Sequence, residues 1–193
     1  TGVWNVIQAL GEKLENDERK LVETDKYKKI KGNKEAPVLF EEADGVWLNL
    51  QGKDRKQRKF PKAEMKAAIA YDGWIDKGSG RYSLDGKVVT AGFNKAANFQ
   101  RLREAMIASE YDLDEVQIRF LNGDGAPWIK KTSDRGTIFQ LDPFHRNKSI
   151  RENISHKRAI RDVMELLEKE QIEEMFEYLT VYKDSLTDDK EIE

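Results

Sequence analysis

Val38-Leu-Phe-Glu-Glu-Ala-Asp-Gly-Val-Trp-Leu-Asn-Leu50 decides how the chain is read. Val, Leu, Phe and Trp suit a pleated, half-buried surface, so the segment is predicted as a strand through Asp44 to Val46, Leu48 and Leu50. Asp44 interrupts that run where strand propensity disfavours a carboxylate. Asp44-Gly45 reads equally as a bulge in an edge strand.

Downstream, Gln51 to Lys59 (QGKDRKQRK) reads as a polar turn, and Met65, Ala67, Ile69 and Tyr71 alternate as a second strand. Past Gly78-Ser79-Gly80, Lys87-Val88-Val89-Thr90 is a short third strand. Phe99, Leu102, Met106 and Ile107 then share one helical face, with Asn94 as the expected N-cap. Val116 to Leu121 is a fourth strand ending in Asn122-Gly123-Asp124-Gly125, and Ile138 to Leu141 a fifth. Three consecutive strands predict an antiparallel meander, and the later strand–helix–strand units predict parallel additions. The expected fold is α/β, a mixed five-stranded sheet with flanking helices.

Upstream, Val3, Ile7, Leu10 and Leu14 fall at helical spacing, and Lys26 to Lys34 (KYKKIKGNK) reads as a basic linker. From Arg151 onward the chain is helical throughout. Ile160, Val163, Met164 and Leu167 form one apolar face, and Ile172, Met175, Phe176 and Leu179 another. The step of five between Leu167 and Ile172 predicts two helices or a kink. The expected divisions are 1–35 (helix and linker), 36–150 (core) and 151–193 (helical extension).

Composition narrows the function classes. With 193 residues the chain can bury a real core, and its 36% charged residues exceed the usual quarter. The absence of cysteine excludes a disulfide scaffold, a thiol nucleophile and a thiolate zinc site. A net charge of −2 argues against a uniformly basic nucleic-acid binder, while leaving room for local basic patches. No window approaches about 18 apolar residues free of charge, so no membrane span is expected. Thr1-Gly2-Val3-Trp4 carries no secretory signal pattern, which makes the cytoplasm the default compartment.

Two constellations carry candidate chemistry. Asp44 on the first strand and Asp124 just past the fourth converge if those strands are neighbours, and paired carboxylates are hard oxygen ligands suited to Mg²⁺ or Mn²⁺. Two such ions about 4 Å apart activate a water and stabilise the leaving oxygen of a phosphodiester. Asn122 to Gly125 also reads as a plain tight turn. The second constellation is Asp142-Pro-Phe-His145 with Arg146, Lys148 and Arg151, a setting for a phosphate backbone contact or for support of metal ligands. Trp128 and Phe144 are expected to be packing residues. Lys53, Arg55, Lys56, Arg58 and Lys59 form either a solvated hairpin tip or a phosphate grip whose binding depends on salt.

Phe40 to Leu48, Phe120-Leu-Asn-Gly-Asp-Gly-Ala-Pro-Trp-Ile129 and Phe139-Gln-Leu-Asp-Pro-Phe-His-Arg-Asn-Lys148 together resemble a bacterial insertion-sequence transposase family. This is the ISLre-type group, long catalogued as an uncharacterised family and distantly related to Mutator-like transposases. The resemblance implies a ribonuclease-H-like core with an Asp-Asp-Glu triad, in which Asp44 and Asp124 hold the metals as the first two carboxylates. Asp142 and His145 match an Asp-x-x-His signature, and the helices from Arg151 would begin an all-helical insertion. The implied partner is DNA at transposon ends, cut and joined by a homo-oligomer of the full-length enzyme. The third carboxylate is expected after the insertion. Glu165, Glu168, Glu173 and Glu174 lie within the insertion and none is assigned, so the chain reads as a fragment of the catalytic domain. A catalytically incomplete remnant serving as a nucleic-acid-binding or structural module, and another ribonuclease-H-like nuclease, are the alternatives.

Overall fold

Leu39, Glu41 and Ala43 are buried while Glu42 and Asp44 are exposed, the period-two burial that defines β1 (Val38–Asn49). The computed structural model describes residues 2–23, 29–130 and 136–188. The elements preceding the last sheet strand are α1 (Gly2–Glu23), α2 (Gly52–Gln57), β2 (Lys62–Tyr71), β3 (Gly73–Asp76), β4 (Tyr82–Asp85), β5 (Val88–Gly92), α3 (Ala96–Glu110), β6 (Ile118–Gly123) and α4 (Pro127–Lys130). β7 (Thr137–Leu141) follows, then α5 (Pro143–Asn153), α6 (Lys157–Glu168) and α7 (Ile172–Asp188). Contacts divide the chain into two compact units, Thr1–Leu141 and Asp142–Glu193.

The first unit is built on a five-stranded sheet in the order β5-β2-β1-β6-β7. β2 runs antiparallel to β1 and to β5, while β6 and β7 run parallel to their neighbours. This is the mixed meander-plus-parallel sheet expected from the strand order, flanked by helices and compatible with a ribonuclease-H-like fold. β1 is its central strand. The bulge reading of Asp44-Gly45 is corrected, because the β1–β2 register runs through Asp44↔Ala67 and Gly45↔Lys66 with no extra residue.

α3 covers one face of the sheet. Phe99, Leu102, Ala105, Ile107 and Ala108 are buried on it. Phe99 joins Ala43, Ala68, Leu121, Trp128 and Ile129 in one core cluster, and Ile107 joins Leu39, Ala70 and Tyr111 in another. Charge is buried with them. The Arg119 guanidinium on β6 donates to Glu41 Oε1 at 2.6 Å and to both oxygens of Glu104 on α3, at 2.7 and 2.8 Å. Arg103 Nε lies 3.3 Å from Glu41 Oε2. Two arginines balance two glutamates, which is what makes such a cluster tolerable away from water.

Several local expectations change. α3 has Lys95, not Asn94, at its N-cap, and no side chain caps it. The polar stretch after β1 contains the short helix α2. The loop around Gly78–Gly80 joins β3 and β4, a two-stranded ribbon missed because its four-residue strands carry too little periodicity. In the basic stretch, Lys26, Tyr27 and Lys28 lie outside the described residues. Lys34 is an anchor rather than linker: it bridges to Tyr111 through its backbone, and its Nζ meets Asp72 at 2.9 Å and Asp85 at 3.2 Å. Val3, Ile7, Leu10 and Leu14 do lie on a helix, α1, but all four are exposed.

In the second unit, α6 and α7 are separate helices, with Glu170 between them at φ +57°. The register break at Leu167–Ile172 is real. Ile154, Ala159, Val163 and Met175 make the buried cluster of this unit, whereas Phe176 is exposed. Among the described residues, no helix is long and apolar enough to cross a membrane.

Candidate metal centre

The last parallel pair of β1 and β6 is Ala43 with Gly123. Asp44 follows Ala43 on β1 and Asp124 is the residue just past β6, so the pairing register itself delivers them side by side. A carboxylate oxygen of Asp44 lies within 4.8 Å of one of Asp124. Each Oδ1 accepts a backbone amide, from Gly45 at 2.7 Å for Asp44 and from Ala126 at 2.8 Å for Asp124. Among the described residues no lysine or arginine comes within ion-pair distance of either. Two neighbouring carboxylates without a cation between them, each with Oδ2 left over, are a hard donor pair that fits Mg²⁺ or Mn²⁺.

The turn reading of Asn122 to Gly125 is correct locally, because the Asp124–Ala126 bond tightens the chain and Gly125 adopts φ +86°. It is not a hairpin, since α4 and a parallel strand follow. Gly123 is required by packing. A Cβ there would stand 2.8 Å from Ile129 Cγ2 and 3.0 Å from the Ala43 carbonyl.

A supporting group was not foreseen. Glu64 on β2 accepts the Trp128 indole N–H at 3.1 Å and pairs with Lys66 Nζ at 2.6 Å. Lys66 Nζ stands 5.6 Å from the centre of the Trp128 ring, which packs T-shaped against Phe99 with ring centres 5.4 Å apart. Trp128 is buried, so its packing role holds. The signal was present: Lys62, Glu64 and Lys66 recur every second residue, which puts all three on one side of a strand.

The other sequence candidates are placed differently. Asp142 is the N-cap of α5, its Oδ1 accepting from the amides of Phe144 at 2.8 Å and His145 at 3.1 Å. The same oxygen lies 3.3 Å from His145 Nδ1. Lys148 is exposed and 3.8 Å from Glu152. Phe144 is 70% exposed, which corrects its expected packing role. Lys53, Arg55, Lys56, Arg58 and Lys59 are all exposed, at the tip of the β1–β2 hairpin beyond Asp44.

A family model described as uncharacterised protein family UPF0236 matches residues 5–193. The chain belongs to UPF0236. No curated protein and no solved structure matches it. The UPF0236 chain therefore carries its functional argument in its own geometry, and the Asp44–Asp124 pair is the strongest part of it.

Proposed function

We propose that this UPF0236 chain is part of the catalytic domain of a DDE-type DNA transposase, working on cytoplasmic DNA with Mg²⁺ or Mn²⁺. The observation that carries the reading is the placement of Asp44 and Asp124 one step beyond the last pair of two parallel neighbours, at the mouth of a central strand. The ISLre-type resemblance and the strand order 3-2-1-4-5 of the main sheet support it. A divalent ion bound there would polarise a phosphodiester and lower the pKa of an attacking water. Asp44 and Asp124 would hold the phosphate in line through that ion. Asp142 would hold the first turn of α5, and His145 and Lys148 would meet the DNA backbone or support the ligands.

Calorimetric titration with Mn²⁺ tests the site. Binding to the chain that is lost in both Asp44→Asn and Asp124→Asn supports the reading. Binding that survives both substitutions removes the site, and no binding at all leaves the alternative of a nucleic-acid-binding or structural module. Mn²⁺-dependent cleavage of transposon-end DNA, absent on random duplexes, separates a transposase from another ribonuclease-H-like nuclease.

A further inference from the structure

The β1–β2 hairpin continues past the metal-ligand candidates as an arm. Val46 to Asn49 pair with Lys62 to Met65, and α2 sits in the tip. From Gln51 to Lys62 the sequence holds six basic residues, Lys53, Arg55, Lys56, Arg58, Lys59 and Lys62, against the single acid Asp54. The whole chain carries −2, so this tip is a strong local reversal of sign. Such concentrated positive charge fits a polyanion.

Two large aromatics accompany the charge. Trp47 is 63% exposed and Phe60 is 68% exposed. Trp47 pairs with Glu64 in the ladder, so the exposed Lys62 is a diagonal neighbour on the same strand face, while Lys66, the other diagonal neighbour, is buried and balances Glu64. Lys59 Nζ lies 5.7 Å from the Phe60 ring centre. An exposed indole within a basic track is what a single strand requires: cations for the phosphates and an aromatic face for an unpaired base. A duplex keeps its bases stacked on one another and has no use for the indole. Trp47 is three residues from Asp44, about 10 Å along the strand, and that odd step turns the two side chains to opposite faces of β1.

We infer that the arm Val46–Met65 grips single-stranded DNA, stacking an unpaired base on Trp47 and holding its phosphates with the basic tip. The inference rests on the DNA-processing reading of Asp44 and Asp124, and it names the form of DNA that the site would receive.

Fluorescence anisotropy of the chain with a labelled 20-mer, single-stranded or annealed to its complement, tests this in EDTA. The single strand should bind about tenfold more tightly than the duplex, and Trp47→Ala should erase that preference, since base–aromatic stacking is worth about tenfold or more per base. Trp47→Phe should restore most of it. Replacing Lys53, Arg55, Lys56, Arg58 and Lys59 by Gln should lower the log–log salt slope by about 3. Equal affinity for both DNA forms, or a Trp47→Ala variant that keeps the preference, overturns the proposal, as does an unchanged salt slope. Far-ultraviolet circular dichroism verifies that each variant is folded. EDTA removes metal from the assay, so this binding is read independently of ion binding at Asp44 and Asp124. A failed metal titration with intact strand preference refutes the catalytic reading alone, and the converse refutes the grip alone.

Discussion

The Trp128 indole N–H donates to Glu64 Oε1 over 3.1 Å, tying the helical turn that follows Asp124 to the strand two positions from the partner of Gly45. Gly45 is what lets the carboxylate reach across. A Cβ at Gly45 would stand 2.5 Å from Glu64 Oε1. Gly45→Ala should therefore displace Glu64 from both Trp128 and Lys66 and destabilise the chain by about 1–3 kcal/mol, as for a buried partner left unsatisfied. In a Glu64→Ala background the same substitution should cost much less. Urea unfolding of the four-member cycle measures this, and equal costs in both backgrounds would show that the residues are not coupled.

Gly123→Ala meets a harder obstacle, because one of its contacts is the Ala43 backbone carbonyl at 3.0 Å. Backbone cannot rotate away as a side-chain end can. The substitution should cost about 1–3 kcal/mol through overpacking. It should also weaken Mn²⁺ binding, because the strand pair that delivers Asp44 and Asp124 is forced apart. A variant with wild-type stability and wild-type titration would contradict both statements.

The buried charge cluster predicts an acid limit. Burial alone would raise the Glu104 carboxyl, but the hydrogen bonds and charge of Arg119, with Arg103, outweigh it and hold the pKa below the ordinary value. A lowered folded pKa means that the unfolded chain binds the proton more readily. The stabilisation is thus complete above the unfolded pKa, about 4.3, and is lost as pH falls through the folded value. Unfolding midpoints should decline below about pH 5, and Glu104→Gln should flatten that decline. Arg119→Met, which strands two carboxylates, should cost about 3–5 kcal/mol at pH 7.

Tyr71 predicts the alkaline counterpart. Burial, with the hydrogen bond to Glu42 at 2.9 Å and that carboxylate's charge, pushes its phenol up to about 12. The folded chain then holds a proton that the unfolded chain releases near pH 10, so this stabilisation is present below pH 10 and is lost between about 10 and 12. Tyrosinate absorbance should show a late-titrating group that disappears in Tyr71→Phe. A titration curve unchanged by Tyr71→Phe would refute the assignment.

Asp142 predicts a local effect. Removing the cap of α5 with Asp142→Ala should cost about 1 kcal/mol, and Asp142→Asn, itself a good cap, should cost little. Amide exchange at Phe144 and His145 reads the loss directly. Protection that is identical in both variants would mean that the cap contributes nothing.

The strand order was legible because periodicity is a local property: Met65, Ala67, Ile69 and Tyr71 alternate whatever lies around them, and β2 covers all four. Asp44 and Asp124 were legible for a related reason, since a carboxylate in or just beyond an apolar strand contradicts its neighbours. Short elements were not. β3, β4 and α2 hold four to six residues, less than the period needed to distinguish them from loops. At α1 the spacing of Val3, Ile7, Leu10 and Leu14 told of a helix but not of what covers it, and all four are exposed.

Sequence alone determined the order and type of the main strands, left the C-terminal extension as two helices or a kink, and singled out Asp44 and Asp124 as residues out of place beside apolar strands. Tertiary structure decided that β1 is central, with β2 on one side and β6 on the other, so that Asp44 and Asp124 follow the last β1–β6 pair. It also decided that Glu41, Arg103, Glu104 and Arg119, which no sequence pattern marks, form one buried ionic cluster. The physical reason is common to both. Propensity and periodicity act between residues a few positions apart, whereas strand order, carboxylate convergence and charge burial depend on contacts between segments tens of residues apart, whose closure only the folded chain reveals.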